Sequence, residues 1–312
     1  MRDLALIAAF AAVTAALPVF VTSGYALNLA IMVLYSALLG QAWNILAGFG
    51  GQYSFGHALF FGTGAYASAL LQMHLGLNAW VALPLAIGCG AGVAAFVGAV
   101  SFRYGLRGSY FALVTLAFAE VFRILANTVP FTGGGVGMLL PLQQSAAAMQ
   151  FAGKAGFLYL MLALTLAGLL ASWWLRHSRF GAWLTAVRDS EESAAALGVD
   201  VFRVKLAAIT LSAALMAAGG VFYVQYFHYI DPHIAYGPEV SVEALLGPIV
   251  GGLGSVFGPL LGAALLQLLG EVTRNLAGEV PGVSLVVYGV ALIGVVWFLP
   301  GGIAGLVVRR GR

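Results

Sequence analysis

Val240 to Gly270 reads VSVEALLGPIVGGLGSVFGPLLGAALLQLLG, with Glu243 as its one charge. As a single helix it would be about 46 Å long, against a hydrocarbon core of about 30 Å. Gly251-Gly252-Leu253-Gly254 and Pro259 interrupt it, and glycine and proline are the poorest residues for a helix interior. The stretch therefore reads as two short membrane spans with a Gly-broken or re-entrant segment between them. That reading sets the parity of the whole chain. Further apolar runs lie at 4–21, 25–47, 57–73, 79–100, 109–126, 156–175, 206–230 and 282–299. With 240–270 counted twice, the expectation is an all-α polytopic membrane protein of about ten transmembrane helices, a single domain over 1–312. The first run is longer than a usual signal core and lacks a clear small-x-small cleavage site, so it reads as a retained span.

Composition supports a lipid environment. Of 312 residues 62% are hydrophobic and 8% charged, where soluble domains carry about 25% charge. A net charge of +3 from scattered carriers gives nucleic acid nothing to bind. Cys89 is the sole cysteine, so no internal disulfide can form. Lysine and arginine tend to stay in the cytoplasm. The loop 176–205 holds Arg176, Arg179, Arg188, Arg203 and Lys205, and the tail holds Arg309, Arg310 and Arg312. In a ten-span arrangement both fall inside with Arg2, Arg103 and Arg107, leaving Lys154 and Arg274 outside.

Catalytic signatures are missing. No Gly-x4-Gly-Lys-Ser/Thr phosphate loop occurs, since Lys154 and Lys205 precede alanine and leucine. Gly-x-Ser-x-Gly and His-Glu-x-x-His are absent too. The nearest approach to a metal set is His228, Asp231 and His233 at the end of a span, where histidines usually present an amphipathic ring to headgroups. No catalytic residue, cofactor site or metal site is assigned.

The loop 176–205 is the most informative polar segment. Phe180, Trp183, Leu184 and Val187 stand at i, i+3, i+4 and i+7 of a short amphipathic helix. Asp189 with Glu192 makes a capping-box pattern predicting a second helix from Asp189, and Gly198 is a natural stop. Such a loop could dock a partner or lie on lipid headgroups. Glycines also cluster elsewhere. Gly50-Gly51-Gln52-Tyr53-Ser54-Phe55-Gly56 resembles Gly251-Gly252-Leu253-Gly254-Ser255-Val256-Phe257-Gly258, as an internal duplication would. Gly247, Gly251, Gly254, Gly258 and Gly262 recur at the spacing of one helix face. Helix packing and a broken-helix substrate route both fit such glycines.

Glu192-Ser193-Ala194 with Gly198 resembles the Glu-Ala-Ala loop of ABC importer permeases. Ser178-Arg179-Phe180-Gly181, Gly51 to Ala58, Arg107 to Glu120 and Gly251 to Ser255 with Gly258-Pro259 extend the likeness over nearly the whole chain. They resemble the M-type permeases of bacterial branched-chain amino acid ABC importers. Ser193, and Gly135-Val136-Gly137 in place of a common Ser-Asp-Gly, depart from the family pattern. The resemblance implies a multi-pass subunit of the bacterial inner membrane that is not itself an enzyme. Its partners would be a homologous second permease, two ATP-binding subunits, a periplasmic amino-acid-binding protein and membrane lipid. It also implies import of branched-chain amino acids, with urea or short-amide import, or a self-sufficient secondary transporter, as alternatives. The ATPase-coupling residues it assigns are Asp189, Glu191, Glu192, Ala194, Ala195, Leu197 and Gly198. The candidate translocation path comprises Gly50, Gly51, Ser54, Thr115, Glu120, Glu243, Gly251 and Gly252. Glu120 can pair with Arg123 at i+3, structurally or at the path, and Glu243 has the same ambiguity.

Overall fold

The computed structural model describes residues 2–143 and 145–277, with separate helical positions between 286 and 303. The apolar runs fold as helices. They are α1 (Arg2–Phe20), α2 (Gly24–Asn44), α3 (His57–Leu75), α4 (Ala79–Arg103), α5 (Gly108–Thr128), α6 (Lys154–His177), α9 (Val201–Phe227), α11 (Pro238–Gly251) and α12 (Gly258–Ala277). Short helices α7 (Arg179–Asp189), α8 (Glu191–Ala196) and α10 (Pro232–Tyr236) lie between them. Strands β1 (Met138–Leu139) and β2 (Tyr229–Ile230) form one antiparallel pair, and Ser145 and Gln150 make an isolated antiparallel bridge; the regular elements among the described residues are otherwise helical. Helix starts follow local chemistry: Asn78 Oδ1 accepts Trp80 N–H at 2.8 Å before α4, and Asp200 Oδ1 accepts Arg203 N–H at 3.0 Å before α9.

Side-chain contacts sort the helix termini into two ends. At one, Asp3 pairs with Arg176, Glu191 meets Gln52, Arg107 and Lys205, and Arg188 reaches Gly48. This basic end gathers the starts of α1, α3, α5 and α9 with the ends of α2 and α6. At the far end β1 pairs with β2, Trp80 Nε1 donates to Ala146 O, and Tyr226 Oη donates to Asn28. In the centre α2 packs against α6, α9, α11 and α12, and α3, α4 and α9 pack against one another.

Two expectations need correction. Among the described residues six helices are long and apolar enough to cross a membrane by themselves, not ten. The shortfall has a physical cause. Helix α3 carries His57, Thr63, Ser68, Gln72 and His74, but its first half is buried by neighbours and need not face lipid. Helix α11 has only 14 residues, and α12 carries Gln267, Glu271 and Arg274. The run 282–299 lies outside the described residues. The five-glycine pattern, in turn, is not one helix face. Gly247 and Gly251 lie on α11, Gly258 and Gly262 on α12 and Gly254 in the turn between them; the two helices fold back on each other so that a Cβ at Gly251 would lie 1.7 Å from Gly258 O, and one at Gly262 1.9 Å from Gly247 O. The repeat encodes both sides of one helix crossing.

Candidate functional site

The basic end carries a compact polar junction. Helix α2 closes with a π-helical turn, Ile45–Phe49, and then breaks at Gly50 and Gly51, the latter at φ 67°; such turns often mark functional positions. Asn44 bridges to the second glycine cluster: its Oδ1 accepts Gly254 N–H at 2.8 Å and its Nδ2 donates to Ser255 O at 3.0 Å. Gln41 Nε2 donates to Val256 O at 2.7 Å, and Ser172 Oγ to Gln41 Oε1 at 2.6 Å. The end of α2, just ahead of the first glycine segment, therefore meets the second. Gly48 packs so closely on Gly254 that a Cβ there would lie 2.5 Å from its nitrogen.

The 176–205 loop sits directly beneath. Ser178 caps α7, accepting Gly181 N–H at 3.1 Å, and turns Leu184 and Val187 inward while Trp183 stays exposed. Arg188 Nη1 donates to Gly48 O at 3.1 Å and its stem lies against Gly51. The second helix starts later than the capping-box pattern suggested. Ser190, extended at φ −161° and ψ 109°, is the N-cap, accepting Ser193 N–H at 3.2 Å; Asp189 ends α7 and pairs with Arg188. A serine directly ahead of the turn satisfies the free donor, and this leaves both glutamates free for other contacts. Helix α8 ends in a Schellman turn, with Val199 N–H donating to Ala194 O (3.0 Å) and Gly198 N–H to Ala195 O (2.9 Å), and Gly198 at φ 86°.

Glu191 ties this helix to three others. Its Oε1 accepts from Lys205 Nζ at 2.8 Å and Gln52 Nε2 at 3.3 Å, and Arg107 Nε lies 3.1 Å from Oε2. The Lys205 side chain is 3% exposed, with its ammonium 4.6 Å from the Phe102 ring centre. The rest of α8 faces outward: Glu192, Ala195 and Leu197 are exposed, Leu197 by 85%. Ala194 is buried within its own chain, so of the seven assigned coupling residues it offers no outer surface.

The assigned path residues do not form one group. Gly50, Gly51, Gly251 and Gly252 flank the junction. Ser54 accepts Gly56 N–H at 3.2 Å, and Gly56 packs on the Thr115 carbonyl, bringing Ser54 and Thr115 together. Glu120 and Glu243 lie apart from these, on the wall of a cavity of about 720 Å³ towards the far end. There Arg123 grips Glu120 through Nε (2.8 Å) and Nη2 (2.5 Å), and its Nη1 is 3.4 Å from His233 Nε2. Asp231 caps α10 through His233 N–H and Ile234 N–H, and burial pushes the His228 imidazole below its ordinary range. Sequence reasoning missed Ser36, Gln41, Asn44 and Gln267. Their signal was available, since a polar side chain inside an apolar run is costly unless paired.

The architecture defines a multi-pass α-helical membrane protein with a helical loop docked on broken spans at its basic end. The chain belongs to the family described as branched-chain amino acid transport system / permease component, whose model matches residues 25–296. It is 31% identical over 282 residues to the high-affinity branched-chain amino acid transport system permease protein LivM of Salmonella typhimurium, and equally to that of Escherichia coli, matching 82% of this chain. The chain spans 65% of the length of each of those relatives. To LivH of Escherichia coli it is 25% identical over 262 residues, 74% of this chain and 79% of LivH.

Proposed function

We propose that this chain is a transmembrane permease subunit of an importer in the bacterial inner membrane, carrying branched-chain amino acids on ATP hydrolysed by partner subunits. It pairs with a homologous permease and receives cargo from a periplasmic binding protein. The observation that carries this reading is the junction at Glu191. An exposed short helix, α8, is fastened by ion pairs to the elements that open α5 and α9 and by a hydrogen bond from Gln52 to the segment that precedes α3, so a partner pushing on α8 moves the ends of three helices together. Family membership supports the same reading. The whole chain acts as one domain, with 176–205 as its coupling loop and Asp189, Glu191, Glu192, Ala195, Leu197 and Gly198 at or beside the contact.

Testing it requires the complete complex in proteoliposomes. Binding protein loaded with leucine, isoleucine or valine should raise ATP hydrolysis and drive uptake; stimulation by urea or a short amide instead would reassign the cargo.

The alternation of the described helices between the two ends supports a cytoplasmic basic end. A single cysteine at Ser193, in a Cys89→Ala background, should be shielded from an impermeant thiol reagent outside intact cells, and one at Asn275 should react. Labelling at Ser193 but not at Asn275 would rule this topology out.

A further inference from the structure

Two cavities share Glu243. The first, of about 720 Å³, is walled by Tyr35, Phe61, Tyr223 and Phe227 and holds Glu120, Arg123, Glu239 and Glu243. The second, of about 700 Å³, runs from Ser36 to Gln267 and Arg274. A directed hydrogen-bond chain leads to the carboxylate. Gln267 Nε2 donates to Ser36 Oγ at 2.7 Å, so the one hydroxyl proton of Ser36 goes to Glu243 Oε1 at 2.5 Å. Glu243 therefore accepts at Oε1. Its Oε2 has no hydrogen-bond partner, and no cation pairs with it, among the described residues. The nearby cations are engaged: Arg123 by Glu120, and Arg274 by Glu271 at 3.5 Å. The first cavity thus carries three carboxylates against one guanidinium.

A carboxylate without a cation, on a wall of aromatic faces, suits one ligand group above others. A primary ammonium can take the carboxylate oxygen in a charge-assisted hydrogen bond and the ring faces by cation–π attraction. A branched aliphatic chain attached to it finds apolar rings beside it. We propose that Glu243 binds the α-ammonium group of the amino acid in a transient site within this cavity. This rests on the import reading above and names the residue that would recognise the cargo inside the membrane.

The test uses the complete importer in proteoliposomes. Glu243→Gln keeps the shape and the bond from Ser36 but removes the charge. Leucine uptake should fall about tenfold or more, the equivalent of about 1.4 kcal/mol per tenfold. Stimulation of ATP hydrolysis by loaded binding protein should stay within about twofold of normal, because the coupling loop at the opposite end is unchanged, and Glu243→Asp should recover part of the uptake. Uptake by Glu243→Gln at the unsubstituted rate overturns the proposal. If the unsubstituted complex carries no amino acid, the import reading fails and the proposal with it, a result seen before any substitution is made.

A second measurement leaves Glu243 intact. In the complete complex without binding protein, with Val240→Cys in a Cys89→Ala background, isopentylammonium should slow thiol labelling severalfold and isocaproate should not. Equal protection by the two ions, or by neither, overturns the proposal.

Discussion

Glu191→Ala should destabilise the basic end by about 3–5 kcal/mol, the usual cost of stripping one partner from a buried ion pair, and should uncouple transport from ATP hydrolysis. The size follows from what is left behind. The Lys205 side chain is 3% exposed and loses its one carboxylate, retaining only the Phe102 ring. Arg107 is half-exposed and is resolvated at little cost. Gln52 keeps only a long 3.4 Å contact to Gly50 O. Thermal unfolding of the purified complex reads the first effect; leucine uptake per ATP hydrolysed reads the second. Pairing Glu191→Leu with Lys205→Met removes both charges and should restore much of the stability, since an apolar pair replaces a buried ionic one at little loss. It should not restore coupling, because no ionic tie from α8 to α9 remains. Glu191→Ala with unchanged unfolding and unchanged coupling would show that the junction transmits nothing.

The helices themselves were legible because lipid imposes one rule on every span: about 20 apolar residues with the backbone satisfied internally. Runs such as 79–100 and 156–175 therefore became α4 and α6 with small boundary shifts. Where spans are covered by protein the rule relaxes, which is why polar α3 and the 14-residue α11 escape the same measure of length and apolarity. The glycine breaks were legible as breaks, but not as a meeting place. Nothing in a linear pattern says that Asn44 reaches across to Gly254 and Ser255, because that contact depends on α2 and the α11–α12 turn ending at one level.

Helix α8 was legible in outline and misplaced in detail. Asp189-Ser190-Glu191-Glu192 contains two good N-caps in succession, and local propensity does not choose between Asp189 and Ser190. Tertiary contacts do: Arg188 must reach Gly48, which holds α7 together through Asp189, and Glu191 must face Lys205. The same contacts turn Ala194 inward and leave Glu192, Ala195 and Leu197 on the outside.

Gly198→Val should leave the protein inserted and paired with its partner permease while uptake falls about tenfold and the ATPase binds weakly or turns over without responding to loaded binding protein. The cause is torsional, not steric. A Cβ at position 198 would meet nothing within 4 Å, so no neighbour is displaced. The residue sits at φ 86°, where any non-glycine residue costs about 1 kcal/mol or more and a β-branched one is a genuine outlier. Relief requires φ to turn negative, and that breaks the Schellman turn in which Val199 and Gly198 donate to Ala194 and Ala195. The last turn of a six-residue helix then unwinds, and Leu197, its most exposed apolar side chain, loses its fixed place on the outer surface. Because the cost is conformational, it should be graded: asparagine, which tolerates left-handed backbone best, should impair uptake least, alanine more and valine most. A flat response across the three, or full uptake and normal coupling in Gly198→Val, would mean that the geometry of this turn is not what the ATPase reads.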